Sequence, residues 1–119
     1  MAATAPVATA DTYAPPEVPP GGVVFVDDPL LVNVHQARVE GWSRASRDDA
    51  VSVHFTSGTP ECYGVHATAT ETPEAVTVDL STGSRADAVD RACIMIALSG
   101  TLEVPLQAPL GERSVLSVS

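Results

Sequence analysis

Val51-Ser52-Val53-His54-Phe55-Thr56 decides the fold. Val51, Val53 and Phe55 alternate with Ser52, His54 and Thr56, which gives one apolar face and one polar face at a period of two residues. Working outward, Ser57-Gly58-Thr59-Pro60 supplies turn residues, and Tyr63, Val65, Ala67 and Ala69 then alternate with Gly64, His66, Thr68 and Thr70. Glu71-Thr72-Pro73-Glu74 turns the chain again, and Val76, Val78 and Leu80 face one way opposite Thr77 and Asp79. The pattern predicts three strands in a meander, the first two forming a hairpin.

Upstream, Val23-Val24-Phe25-Val26 reads as a short strand closed by Asp27-Asp28-Pro29. A looser apolar run extends from Leu30 to Trp42. Val32 and Val34 share one parity and Val39 has the other, so a bulge or bend is expected between them. Downstream, Ser84 with Asp87 resembles a capping box, and Ala88, Ala92 and Ile96 fall at helical spacing. Cys93-Ile94-Met95-Ile96-Ala97-Leu98, however, is apolar on both parities. A helical turn at 85–90 followed by a buried strand at 91–98 is therefore expected. Leu102, Val104 and Leu106 alternate in a strand that Pro105 is expected to place at an edge, and Val115-Leu116-Ser117-Val118 ends the chain. About seven short strands spaced by turns imply an all-β domain over residues 23–119, a small antiparallel β-sandwich of immunoglobulin-like type. Residues 1–22 are rich in Ala, Thr and Pro and read as a disordered leader or tether, stiffened by polyproline II between Pro15 and Pro20.

Composition narrows the function. The 119 residues are 45% hydrophobic but only 4% aromatic, with Val, Ala and Thr prominent, which suits pleated half-buried surfaces in one small domain. Fifteen acidic residues against six basic ones give a net charge of −9. That field repels phosphate backbones and anionic membrane surfaces, so no nucleic-acid partner is expected. No apolar run approaches the ~18 residues of a membrane span, and direct membrane insertion is not expected. Cys62 and Cys93, 31 positions apart, fit neither a zinc cluster nor a C-x-x-C redox motif. A structural disulfide is the simplest use of the pair; two reduced cysteines packed as small hydrophobes is the alternative. The chain as written opens with no basic segment followed by an apolar stretch, so a disulfide implies an export signal lost upstream. Without one, a cytoplasmic location follows.

The stretches Glu61-Cys62-Tyr63-Gly64-Val65-His66-Ala67-Thr68, Ala75-Val76-Thr77-Val78-Asp79-Leu80, Arg91-Ala92-Cys93 and Ala108-Pro109-Leu110-Gly111-Glu112-Arg113 resemble a family of small uncharacterised actinobacterial β-domains, secreted or lipoprotein-like. The similarity covers about residues 40–118. It implies a cell-envelope location and an oxidised cysteine pair, and it transfers no catalytic residue.

Few constellations carry chemistry. On the expected hairpin, His54 and His66 share the polar parity of neighbouring strands with Asp79 nearby, a weak metal-site candidate without any short-range His spacing. No G-x-S-x-G elbow is present, and the acidic pairs Asp27-Asp28 and Asp48-Asp49 read as solvated turns. No cofactor is implied and no enzyme is expected. Trp42 and Tyr63 are the aromatic anchors best suited to a partner, with core packing as their alternative role. Pro60 and Glu61, beside Cys62, form a loop that a disulfide would hold rigid, as in a proteinase inhibitor. The reading is a non-catalytic extracytoplasmic module that binds a protein or cell-envelope component. Its alternatives are a subunit of a larger assembly, a metal-binding protein or enzyme using the histidines, and an inhibitor-like module.

Overall fold

The computed structural model describes residues 11–119; the part of the expected leader at 1–10 lies outside the described residues. The described residues fold as nine strands and one short 3-10 turn: β1 (Thr12–Tyr13), β2 (Val23–Phe25), β3 (Val32–Gln36), β4 (Gly41–Arg44), β5 (Ala50–Ser57), β6 (Tyr63–Glu71), β7 (Ala75–Ser84), the turn Ala86–Ala88, β8 (Leu98–Pro105) and β9 (Ser114–Val118). The strands make two sheets, so the all-β sandwich expected from the alternation is what forms. No described helix is long and apolar enough to cross a membrane.

One sheet is ordered β2-β8-β5-β4. In the other, β6 pairs with β7 along its whole length, from Tyr63 opposite Ser84 to Glu71 opposite Val76. The far side of β7 is shared: β9 covers its first half and β3 its second, with β1 outside β9. Two pairs are parallel, β2 with β8 and β7 with β9; the rest are antiparallel. Val51, Val53, Phe55, Leu102 and Val104 from one sheet meet Val65, Val76, Val78 and Leu80 from the other, all buried. Phe25 and Phe55 pack edge to face with ring centroids 5.2 Å apart, a geometry favoured by the ring quadrupoles.

Several expectations are corrected by this arrangement. The strands at β5 and β6 are not a hairpin: Ser57–Tyr63 carries the chain from one sheet to the other, and β6 turns back on β7. Alternation specifies which face a strand buries and is silent about its neighbour. The run from Leu30 to Trp42 divides into β3 and β4, one in each sheet, and its irregularity falls at Asn33, whose φ of 54 sits in the left-handed region open to Asn. Pro105 ends an internal strand. It stands opposite Ala50, beyond the Gly100–Leu102 stretch that β2 pairs with, so its missing N–H is not needed there.

The segment expected as a buried strand at 91–98 joins no ladder before Leu98. Ile94, Met95 and Ile96 are 63%, 92% and 43% exposed. The boundary drawn at residue 22 also moves, because residues 11–22 strap both sheets. Thr12-Tyr13 pairs with β9, and the Tyr13 hydroxyl accepts from the Val39 N–H at 2.7 Å and donates to the Val39 carbonyl at 3.0 Å. Pro16 and Val18 then exchange backbone hydrogen bonds with Trp42 along the edge of β4. These bonds, with the burial of Pro15, offset the ordering entropy that a Pro-rich composition alone could not recover.

Candidate functional site

Three loops meet at one end of the sandwich, 26–31, 58–62 and 85–97, and Tyr63 stands at their junction. The 58–62 loop is a tight turn in which the Cys62 and Tyr63 N–H groups both donate to the Thr59 carbonyl, at 3.1 and 2.9 Å. Gly58 lies directly under the Tyr63 ring, which any side chain at that position would strike. The 85–97 loop is fixed at two points. The Arg85 N–H donates to the Cys62 carbonyl at 2.8 Å, and the disulfide joins Cys62 to Cys93. The Arg85 guanidinium binds both oxygens of Asp87 at 3.2 Å and reaches the Pro60 carbonyl at 3.4 Å, tying the two loops together.

Around Tyr63 the surface forms two neighbouring open clefts. One is apolar, lined by Gly58, Tyr63 and Ile94 to Ala97. The other is lined by Val24 to Asp28, Pro60, Tyr63, Gly64 and Arg85. In the second, Asp27 accepts from His66 Nδ1 at 3.0 Å and from the Ala67 N–H at 2.9 Å, while the Asp28 N–H donates to the Val65 carbonyl. The Asp27 carboxylate thereby occupies a ladder position on the outer edge of β6 and blocks it against another strand. Ser57, the residue before Gly58, carries a buried hydroxyl with no hydrogen-bond partner among the described residues.

The sequence-predicted residues divide. Cys62, Cys93, Pro60, Glu61 and Tyr63 come together here. Trp42 does not: it lies in β4 opposite Val53, half-buried against the core, with the Arg44 guanidinium 5.9 Å from its ring centroid. His54 and His66 are in different sheets, so the expected cross-strand pair does not form, and Asp79 hydrogen-bonds Gln36 instead. Among the described residues no three His, Cys, Asp or Glu side chains converge as metal ligands.

One pair has the form of catalytic machinery. The Ser43 hydroxyl lies 2.7 Å from His54 Nε2, the separation of a nucleophile and its base. Ser43 is only 2% exposed, and no described carboxylate bonds the other ring nitrogen. Burial also pushes the His54 pKa down, favouring the neutral ring. The pair satisfies the enclosed Ser43 hydroxyl, and the His54 ring lines a cleft with Glu40, Gly41, Ser99 and Gly100.

Sequence reasoning missed Arg85 and the apolar tip at Ile94–Ile96 as surface features. The available signal was a two-sided apolar run that begins at a cysteine with no turn residues between.

No family model, curated protein or solved structure matches the chain. Function is therefore read from the geometry of this end alone.

Proposed function

We propose that the protein is a non-catalytic binding module whose recognition surface is the Tyr63 end of the sandwich, working outside the cytoplasm in the cell envelope. One observation carries the reading: every strongly exposed large aliphatic side chain among the described residues falls within 23–34 or 89–96. The fold brings both segments to this end. Val24, Val26, Leu30 and Met95 are 75%, 82%, 74% and 92% exposed. Small domains rarely leave so much aliphatic surface in water unless something covers it. The opposite end contrasts, its loops held by polar bonds through Arg113 and Glu71. The disulfide supports an oxidising compartment. It also limits the freedom that the 85–97 loop loses on binding.

The test compares wild type with a variant carrying Ile94→Asp, Met95→Asp and Ile96→Asp, all at exposed positions, and with Glu112→Lys at the far end. Each is cross-linked in cell-envelope extract and the captured proteins are quantified. Loss of the same partners from the triple variant, with retention by Glu112→Lys, is expected. Identical capture by all three proteins, or turnover of a substrate by the purified domain, overturns the proposal.

A further inference from the structure

We infer that this surface recognises an extended polypeptide segment in which an aliphatic or aromatic residue has a lysine or arginine two positions away. The inference rests on the Tyr63 end being the binding surface and names the chemistry of its occupant.

The apolar cleft of Gly58, Tyr63 and Ile94–Ala97 offers no charged side chain and suits an aliphatic or aromatic group. The adjoining cleft differs in charge. Its one cation, Arg85, is already engaged by Asp87 and the Pro60 carbonyl. Asp28 uses Oδ1 to accept the Leu30 N–H at 3.0 Å, and no described donor reaches its Oδ2. Asp27 lies beside it in the same lining. A cationic side chain entering here meets carboxylates and the face of Tyr63.

The two clefts share the Tyr63 ring. Side chains two residues apart on an extended strand project to the same side at about 7 Å, so an apolar residue and a basic neighbour can be read together. Charge argues against two other occupants. A second copy would bring the same Asp27-Asp28 pair and its own net charge of −9 against this one, and an anionic lipid surface would be repelled likewise.

The probe is a fluorescein-labelled peptide, Ser-Lys-Ser-Phe-Ser-Lys-Ser, which places lysines two residues either side of the phenylalanine, followed by anisotropy beside its twin with Glu in place of Lys. The basic peptide is expected to bind and the acidic twin not. Its Kd is expected to rise about tenfold when salt goes from about 20 mM to about 300 mM. Asp28→Asn keeps the acceptor for Leu30 and is expected to weaken binding about fivefold. Asp48→Asn, which removes the same charge at the far end, should leave it unchanged.

Equal weakening by Asp48→Asn would mean attraction to net charge alone and would overturn the inference. So would binding of the acidic twin, binding to phosphatidylcholine–phosphatidylglycerol vesicles lost in Met95→Asp, or dimerisation lost in Met95→Asp. Capture of envelope partners through Ile94–Ile96 without binding of the basic peptide defeats the partner class and leaves the surface standing. Loss of both defeats the surface itself.

Discussion

Removing the disulfide separates two effects that the structure places on the same atoms. Cys62 is buried at the start of β6, while Cys93 belongs to a loop whose residues 92–97 join no ladder. In a variant with Cys62→Ala and Cys93→Ser, few native contacts disappear, so most of the destabilisation arises in the unfolded chain. For a sequence separation of 31, the chain-entropy relation gives a loss of about 3–4 kcal/mol, with up to about 1 kcal/mol more from the space left at Cys62. At a slope of about 1.5 kcal/mol per M, the urea midpoint of the double variant falls by about 2–3 M. A second readout is local. Trypsin cleavage after the exposed Arg91, in buffer without denaturant, accelerates at least about tenfold because the loop opens without unfolding the sheets. Wild type treated with a dithiol reductant behaves as the variant does. A midpoint shift below about 0.5 M together with unchanged cleavage would show that packing holds the loop. The chain-entropy argument would then be refuted.

Arg113 donates to Glu71 and to the carbonyls of Thr72, Ala108, Pro109 and Leu110, so Arg113→Ala is expected to lower stability by about 2–4 kcal/mol in urea titration. A loss under about 0.5 kcal/mol would show these bonds to be dispensable. The Gln107 N–H, with help from Arg113 and the Ala108 N–H, holds the Glu71 pKa below its ordinary 4.5. The folded state therefore resists protonation, and this stabilisation is full above pH 4.5 and is lost as pH falls through the lower folded value. His54 adds an earlier decline. Its folded pKa lies below 6.5, so the unfolded chain takes up the proton first and stability falls below pH 6.5 until the folded value is passed. Urea midpoints measured against pH show both branches, with Glu71→Gln flattening the first and His54→Gln the second. A Cβ on Gly100 would lie 2.6 Å from Phe55 Cε2 and 2.7 Å from Phe25 Cε1. Gly100→Ala is thus expected to destabilise by about 1–3 kcal/mol, and an unchanged midpoint would show the aromatic pair to be mobile.

Much of the fold was legible locally. Val51-Val53-Phe55 and Val76-Val78-Leu80 bury the parity their alternation announces, and the bend expected between Val34 and Val39 falls where the chain leaves β3, whereas the register irregularity at Asn33 lies earlier. Neighbour choice was not legible. His54 and His66 have equivalent patterns, yet one pairs with Thr101 and the other with Ser81, because the link after Ser57 changes sheet. Composition misjudged residues 11–22 for a related reason. Their order rests on long-range partners, the Val39 backbone for Tyr13 and the Trp42 backbone for Pro16 and Val18, which no local window contains. The stretch Ala108 to Arg113 becomes intelligible only in three dimensions, where one guanidinium gathers the carbonyls of the turn that precedes it.

The candidate surface shows the same division in a form that bears on function. Turn residues beside a cysteine marked the loop of Pro60, Glu61 and Tyr63 as braced, and Pro60 and Tyr63 line the cleft at this end. Ile94-Met95-Ile96 was misread because an apolar run in sequence has two physical uses, filling a core or covering a partner, and its composition does not distinguish them. What distinguishes them is supply of ladder partners: β5 and β2 already flank β8, and their pairing with it begins only at Leu98 and Gly100. The run before Leu98 is left without a strand to join, and Cys93 fastens it at the end where Val24, Val26 and Leu30 are also exposed. A disulfide used only to stabilise the sandwich could have joined its two sheets. Here it ties an otherwise unpaired apolar loop to the rigid start of β6, which favours binding over packing as the use of that loop.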